Sequence, residues 1–319
     1  MVSLKEIEQA REQFPSEIIY TPLMKSSAIS DQVGGQVSLK AENLQVTGSY
    51  KTRAAFTILS RLSKEQKRYG AAISSSGNFA TAFAFMGSVL KIPTAVVMME
   101  KTSPYKVSRT KNYGGEVVLC QNHNQARWDT LRKLSYDKGL TAINTWEDEN
   151  VIRGHGSIGS EIIEQMATVD VVIVPVSSGG LIGGIATAVK SLNPSVKIIG
   201  VQPEGSQAVY QSFLKKEICE LPEPNTVCDS LVAPRPGKIP FDHLIQYVDD
   251  MVLVSDKQAI GAVKYLISKA KLVVEPGGAV GVAAALNGVV SLKDKKVVIL
   301  LSGGNIEPQQ LAGYLVAEP

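Results

Sequence analysis

Cysteine is scarce in this chain: Cys120, Cys219 and Cys228 are the only three, and they show no framework spacing. That excludes a disulfide scaffold and argues for reduced thiols in a cytoplasmic protein. No apolar run is long enough to span a bilayer. The start, Met1 to Glu8, is a charged amphipathic helix beginning and not a signal peptide. Neither sign of charge dominates: 33 basic against 30 acidic residues give a net +3 with no basic cluster, so no nucleic-acid partner is expected. Histidine is rarer still. His123, His155 and His243 stand far apart and form no metal-spaced pair, so each reads as incidental and no metal site is expected. The chain also lacks a Gly-x-x-x-x-Gly-Lys-Ser/Thr phosphate loop, an internal repeat, a low-complexity tract and a linker.

What is present is an ordinary globular composition, 44% apolar and 20% charged over 319 residues. That suffices for one large or two ordinary domains with a sizeable core. Ser3-Leu4-Lys5-Glu6 fits a capping box, so a helix is predicted up to Phe14, before Pro15. Val37, Leu39 and Ala41 alternate with polar residues as in a strand. From Tyr69 to Asn144 short apolar runs alternate with helical patterns as βαβαβαβ, the signature of a parallel sheet covered by helices. Phe79 to Leu90 is apolar all round and should be a buried helix. Helices are then predicted at Ser157 to Met166, after Gly180, at Asp256 to Lys271 and at Gly278 to Asn287. Between them, Val169–Val176, Val196–Val201, Met251–Val254 and Val297–Leu301 read as buried parallel strands. Proline-rich Pro222 to Pro240 reads as a long loop.

Chemistry is expected at the turns. Lys51 follows Gly48-Ser49-Tyr50 and opens the helical pattern Ala54, Ala55, Ile58, Leu59, Leu62. A cation on the first helical turn is disfavoured by the dipole, which lowers its pKa, and a neutral amine is the form that condenses with an aldehyde. On this stretch alone a solvated surface lysine is the competing reading. Three small-residue turns end apolar strands: Ser74 to Asn78, Ser177 to Gly180, and Ser302 to Asn305. In open α/β sheets ligands bind at that edge. Ser177 to Leu181 is the best phosphate cradle, joining a strand to a helix N-terminus, although tight helix packing would use glycines equally. Ser74 to Asn78 can receive a carboxylate on its amides, or simply cap a helix. Gly154-His155-Gly156-Ser157-Ile158-Gly159 fits the dinucleotide spacing but lacks a preceding strand and an acidic ribose ligand. It reads as a loop that approaches other backbone closely, and a nucleotide-binding dehydrogenase is a poor fit.

Taken together, these turns resemble the fold-type II pyridoxal-phosphate enzymes, in particular the serine/threonine dehydratase and serine racemase group. The resemblance runs in order along nearly the whole chain. It rests on Leu44 to Arg53, Ser75-Ser76-Gly77-Asn78, Gly154 to Gly159, Ser177 to Leu181, Glu275 to Ala279, and Ser302 to Asn305. It implies two parallel-sheet, three-layer α/β domains, tryptophan synthase β-like, with the cofactor between them. Residues 1–48 and 147–319 would form the large domain and 49–146 the small one inserted in it.

It implies a site as well. Lys51 would hold pyridoxal 5'-phosphate as a Schiff base and move the α-proton. Tyr50 would lie beside the cofactor, where the family usually has phenylalanine. Asn78 would meet the ring hydroxyl, and Glu275 would belong to the cofactor site. Ser177, Ser178, Gly179, Gly180 and Leu181 would bind the phosphate. Ser302 would face the pyridine nitrogen; a hydroxyl there leaves a weaker electron sink, which suits expulsion of a β-substituent. Ser75, Ser76, Gly77, Asn78 and Phe79 would bind the substrate, with Ser76 in the racemase-type acid/base position.

The implied activity is a dehydratase converting L-threonine to 2-oxobutanoate, and L-serine to pyruvate, with ammonia. A racemase on the same scaffold, or a cofactor-binding sensor without turnover, are its rivals. A homodimer or homotetramer is implied. Departures from the family pattern are Ser177 and Ser178 for glycines, Ala54 for glycine, and Phe79 for a histidine. Gln202 and Ala208 stand where divalent-metal members carry carboxylates. The chain ends at Pro319, leaving no expected room for a regulatory domain.

Overall fold

The computed structural model describes residues 1–221 and 224–316. In chain order the strands are β1 (Leu23–Lys25), β2 (Gln36–Ala41), β3 (Ala71–Ser74), β4 (Thr94–Met99), β5 (Glu116–Cys120), β6 (Thr141–Ala142), β7 (Val171–Pro175), β8 (Lys197–Pro203), β9 (Asp250–Val254) and β10 (Lys296–Leu301). They form two sheets. The larger has the order β1-β2-β10-β7-β8-β9 and the smaller β5-β4-β3-β6. Every pairing is parallel except β1 with β2. Among the described residues no helix is long and apolar enough to cross a membrane.

The two-residue period of a strand makes three layers in each domain. On β7, Val171 and Ile173 pack toward Ile29, Val263, Ala279 and Val280. Val172 and Val174 pack on the opposite face with Ile158, Ile185 and Phe241. Strands covered on both faces must be apolar throughout, which is why β7 reads Val-Val-Ile-Val-Pro. In the small sheet Ile73, Val96 and Met98 face Phe56, Leu59 and Phe83. Ala72, Ala95 and Val97 face Leu131 and Leu134 of the helix Asn124–Lys138. Each aliphatic side chain buried this way stabilises the fold by about 1.5–3 kcal/mol.

The strand-like alternation of β2 misleads about its surroundings. Ser38 and Lys40 are as buried as Val37 and Leu39. Lys40 donates to Glu161 at 2.5 Å and to the Thr21 carbonyl at 2.8 Å. Arg53, fully buried, bridges the same Glu161 at 2.5 Å and Glu42 at 2.8 Å. Two cations and two carboxylates thus neutralise each other beneath the helix Lys51–Ser60. Charges this deep persist only when paired and hydrogen-bonded.

Three expectations are corrected. The Gly154–Gly159 segment is not a loop: one helix runs from Glu149 to Gln165 and includes it, so the expected start at Ser157 falls inside that helix. The expected close approach is present. A Cβ on Gly154 would stand 2.6 Å from Ala54 Cα, and one on Gly159 2.7 Å from the Ile185 carbonyl. The glycines let three helices meet backbone to backbone and do not loosen the chain. The long loop ends sooner than Pro240, because a helix covers Lys238–Tyr247 and Pro240 sits in its first turn, where its missing N–H has no consequence. Pro222 lies outside the described residues. Finally, the helix predicted over Asp256 to Lys271 is α-helical to Tyr265 and continues as a π turn, Leu266–Ala270.

Candidate active site

A cavity of about 1000 Å³ opens between the two sheets. β3 from one side, and β7 and β10 from the other, deliver their C-terminal turns to it. All the predicted site residues line it: Tyr50, Lys51, Ser75 to Phe79, Ser177 to Leu181, Glu275 and Ser302.

Lys51 is placed by both ends of the chain. Tyr50 N–H donates to the Ser302 carbonyl at 3.2 Å, and Gly304 N–H donates to the Gly48 carbonyl at 2.9 Å. Gly48 has φ +74°, and a Cβ there would stand 2.3 Å from Asn305 Oδ1, so this turn needs glycine. The helix then begins at Lys51 itself. Its amine lies 4.4 Å from the Tyr50 ring centroid and 5.4 Å from that of Phe79. The side chain is open to the cavity but deep in protein. Burial pushes its pKa down to about 7, with Glu275 pulling the other way. Desolvation outweighs the attraction of the two ring faces for a cation. Loss of water is the principal cause of the depression.

Glu275 is itself pushed up to about 7, by burial and then by Asp229, while a hydrogen bond from Asn78 holds it down. That bond spans 2.6 Å from Asn78 Nδ2 to Glu275 Oε1. Asn78 in turn accepts from Asn305 Nδ2 at 2.6 Å. Ser76 Oγ accepts from the Thr102 hydroxyl at 3.0 Å.

On the opposite wall, Gly179 has φ +102° and precedes the helix Gly180–Leu192. A Cβ on Gly180 would stand 2.9 Å from Val151 Cγ1. That position therefore needs glycine, and the helix brings its N-terminus to the cavity wall, where an anion is favoured. Behind the cradle, the fully buried Gln202 donates toward the Ser177 carbonyl at 3.5 Å and accepts from Tyr210 N–H at 2.8 Å.

His155 is not incidental. It lines the cavity, with its ring edge-on to Tyr50 at 4.6 Å between centroids. Both its ring nitrogens are buried without a hydrogen-bond partner among the described residues. Burial and then the Lys51 charge push it well below the ordinary histidine range, against a weaker pull from the Gly180 backbone, which is near the ring but does not meet hydrogen-bond geometry. His123 and His243 do hold structural places: His123 caps the helix Asn124–Lys138, and His243 accepts from Val2 N–H at 3.1 Å. Sequence reasoning also missed Arg127, Trp146, Thr102 and Asp229 in the wall. They sit in segments with no local signature and reach the wall only through the tertiary fold.

A lysine with a near-neutral pKa, an anion cradle and a polar turn, set between two parallel sheets, define an enzyme that holds an aldehyde-bearing phosphate cofactor. The chain belongs to the family of pyridoxal-phosphate dependent enzymes, whose model matches residues 15–303. It is 37% identical over 307 residues to the L-threonine ammonia-lyase of Thermotoga maritima, covering 96% of this chain and 76% of that one. It is 38% identical over 320 residues to the catabolic L-threonine dehydratase TdcB of Staphylococcus aureus, covering 99% and 92%. The structure of maize serine racemase superposes with a TM-score of 0.94 at 32% identity, covering 98% of this chain and 96% of that one.

Proposed function

We propose that this chain is a pyridoxal-phosphate dependent dehydratase that converts L-threonine to 2-oxobutanoate and L-serine to pyruvate, releasing ammonia. The observation that carries the reading is Lys51: an amine held near pKa 7, lining one cavity with the cradle at Ser177–Leu181 and with Ser302. These residues fit the cofactor. Ser177 to Leu181 would bind its phosphate through backbone N–H groups, Lys51 its aldehyde, and Asn78 and Glu275 its polar edge. Tyr50 would cover a ring face and Ser302 meet the pyridine nitrogen. The bound cofactor makes the Cα–H bond of an attached amino acid acidic.

Lys51 then takes the α-proton. The turn Ser75–Gly77, with Asn78 and Phe79, binds and orients the amino acid by receiving its carboxylate at a helix N-terminus. The β-hydroxyl leaves as water, and hydrolysis of the released enamine gives the oxo acid and ammonia. A racemase would need a second acid/base on the other face. Ser76 holds that position, but its partner is the Thr102 hydroxyl and not a base, which supports elimination as the main outcome.

The small domain is taken as residues 49–146 and the large as 1–48 with 147–319. A cytoplasmic homodimer or homotetramer completes the reading. The test is an absorbance spectrum of the purified protein before and after L-threonine, with assay of 2-oxo acid. A yellow protein that changes colour without releasing 2-oxo acid would favour the sensor reading.

A further inference from the structure

His155 is the histidine whose hydrogen-bonding capacity the fold leaves unmet. His123 and His243 accept from the backbone N–H groups of Ala126 and Val2. His155 is fully buried, yet neither ring nitrogen has a partner among the described residues. Buried polar groups are normally satisfied, and an exception calls for an explanation. The ring cannot turn away to find water. Its helix, Glu149–Gln165, is pinned on both sides of it: a Cβ on Gly154 would stand 2.6 Å from Ala54 Cα, and one on Gly156 2.6 Å from Ile7 Cδ1. The face that carries His155 looks at the cradle. Val151, one turn earlier, meets the position of a Gly180 Cβ at 2.9 Å, and both Val151 and His155 line the cavity. On its other side the His155 ring touches Tyr50, the residue next to Lys51.

The aldehyde and the phosphate-bearing arm of pyridoxal phosphate stand on adjacent ring carbons. A side chain that neighbours both Lys51 and the cradle therefore faces that arm. We propose that His155 is a cofactor-binding residue that donates a ring N–H to the phosphate held at Ser177–Leu181. This rests on the cofactor site assigned above. In either protonation state the imidazole has a hydrogen to give. Of the residues beyond Trp146 that line the cavity, His155 alone can also become a cation among those described. The first turn of Gly180–Leu192 supplies only partial positive charge, and a phosphate carries up to two negative ones. An anion beside the ring opposes the depression that burial and Lys51 impose on it. A charge-assisted hydrogen bond in a site closed to solvent is a strong one.

The experiment compares the full wild-type chain with His155→Phe and His155→Gln. Phenylalanine keeps a ring against Tyr50 and removes both nitrogens, while glutamine keeps an amide donor. Each protein is titrated with pyridoxal 5'-phosphate and with pyridoxal, which can form the same bond to Lys51 but has no phosphate. His155→Phe should lose about 10- to 100-fold in affinity for the phosphorylated probe and less than about twofold for pyridoxal, with His155→Gln between. Equal losses on both probes would mean that the ring only packs against Tyr50, and would overturn the proposal. So would an unchanged affinity. A second measurement needs no variant. The chain has only three histidines, so nuclear magnetic resonance of wild type labelled with heavy nitrogen in their rings is simple to read. The phosphorylated probe should shift the ring-nitrogen signals of one histidine, and pyridoxal should leave them in place. Signals moved alike by both probes, or by neither, count against the contact. If wild type forms no bond with either aldehyde at Lys51, the cofactor site itself is wrongly assigned. If it binds both and His155 makes no distinction between them, only the present inference falls.

Discussion

Asn78 and Glu275 meet across the cleft between the two sheets, the amide donating to the carboxylate at 2.6 Å. One opens the helix Asn78–Leu90, the other precedes the helix Pro276–Leu286. Each fixes the other where the cofactor edge would lie. Because Glu275 titrates near pH 7, this contact changes charge in the same range as Lys51.

The Lys51 prediction concerns pH. Its pKa is lowered, so the neutral amine gains population as pH rises through about 7 and not near 10, as for an ordinary lysine. Glu275 loses its proton over the same range, and its negative charge favours the ammonium, so the transition is broadened. Condensation of cofactor-free protein with pyridoxal phosphate should speed up with a midpoint near 7. In Glu275→Gln the midpoint should fall and the curve steepen. Borohydride should then fix the label on Lys51; peptide mapping that finds it on another lysine rejects the assignment.

The cradle prediction uses Gly180→Asp. A Cβ there already meets Val151 at 2.9 Å, and the carboxylate would face the phosphate. Like charges at such a contact are unfavourable by several kcal/mol, so cofactor affinity should fall about 100-fold or more. Circular dichroism should be unchanged. An unaltered affinity in titration of cofactor-free protein would place the phosphate elsewhere.

Ser76 separates elimination from racemisation. Wild type should make pyruvate from L-serine faster than D-serine. Ser76→Ala should abolish D-serine formation and slow attack on D-serine, while elimination from the L-substrate survives, weakened by the lost contact. Parallel assays of the two products decide it, and faster D-serine formation by wild type would make the enzyme a racemase.

The buried quartet predicts stability. Glu161→Gln leaves Lys40 and Arg53 short of one negative charge in a site closed to solvent. Removing one member of such a group costs about 3–5 kcal/mol, to be read as a lower urea midpoint. Adding Lys40→Met to Glu161→Gln should restore part of the loss, because the surplus charge goes with it.

Most of this architecture was legible, for identifiable reasons. Strands covered on both faces, such as Val171–Pro175, are apolar throughout and stand out in the sequence. The cavity wall was legible because its turns sit at strand ends, where small residues are required. Glycine in Gly154–Gly159 misled, since glycine signals both loops and tight helix packing and only the partner helix decides which. Lys40 was illegible as a core residue because nothing local predicts that Glu161, 121 positions later, will neutralise it. Arg127 and His155 were missed for a related reason. Each is placed by tertiary contact, and neither lies in a turn.

The position of β10 has a consequence for synthesis. It lies between β2 and β7, so a strand made near the end of the chain fills the middle of the larger sheet. Until residue 301 has left the ribosome, β2 has only its antiparallel partner β1, and the facing edge of β7 is bare. The smaller sheet draws every strand from residues 71–142 and can assemble while the rest is still being made. A nascent chain halted before Lys296 would hold a finished small sheet and two adhesive edges. Premature termination late in this gene should therefore yield aggregates in preference to a soluble, inactive fragment.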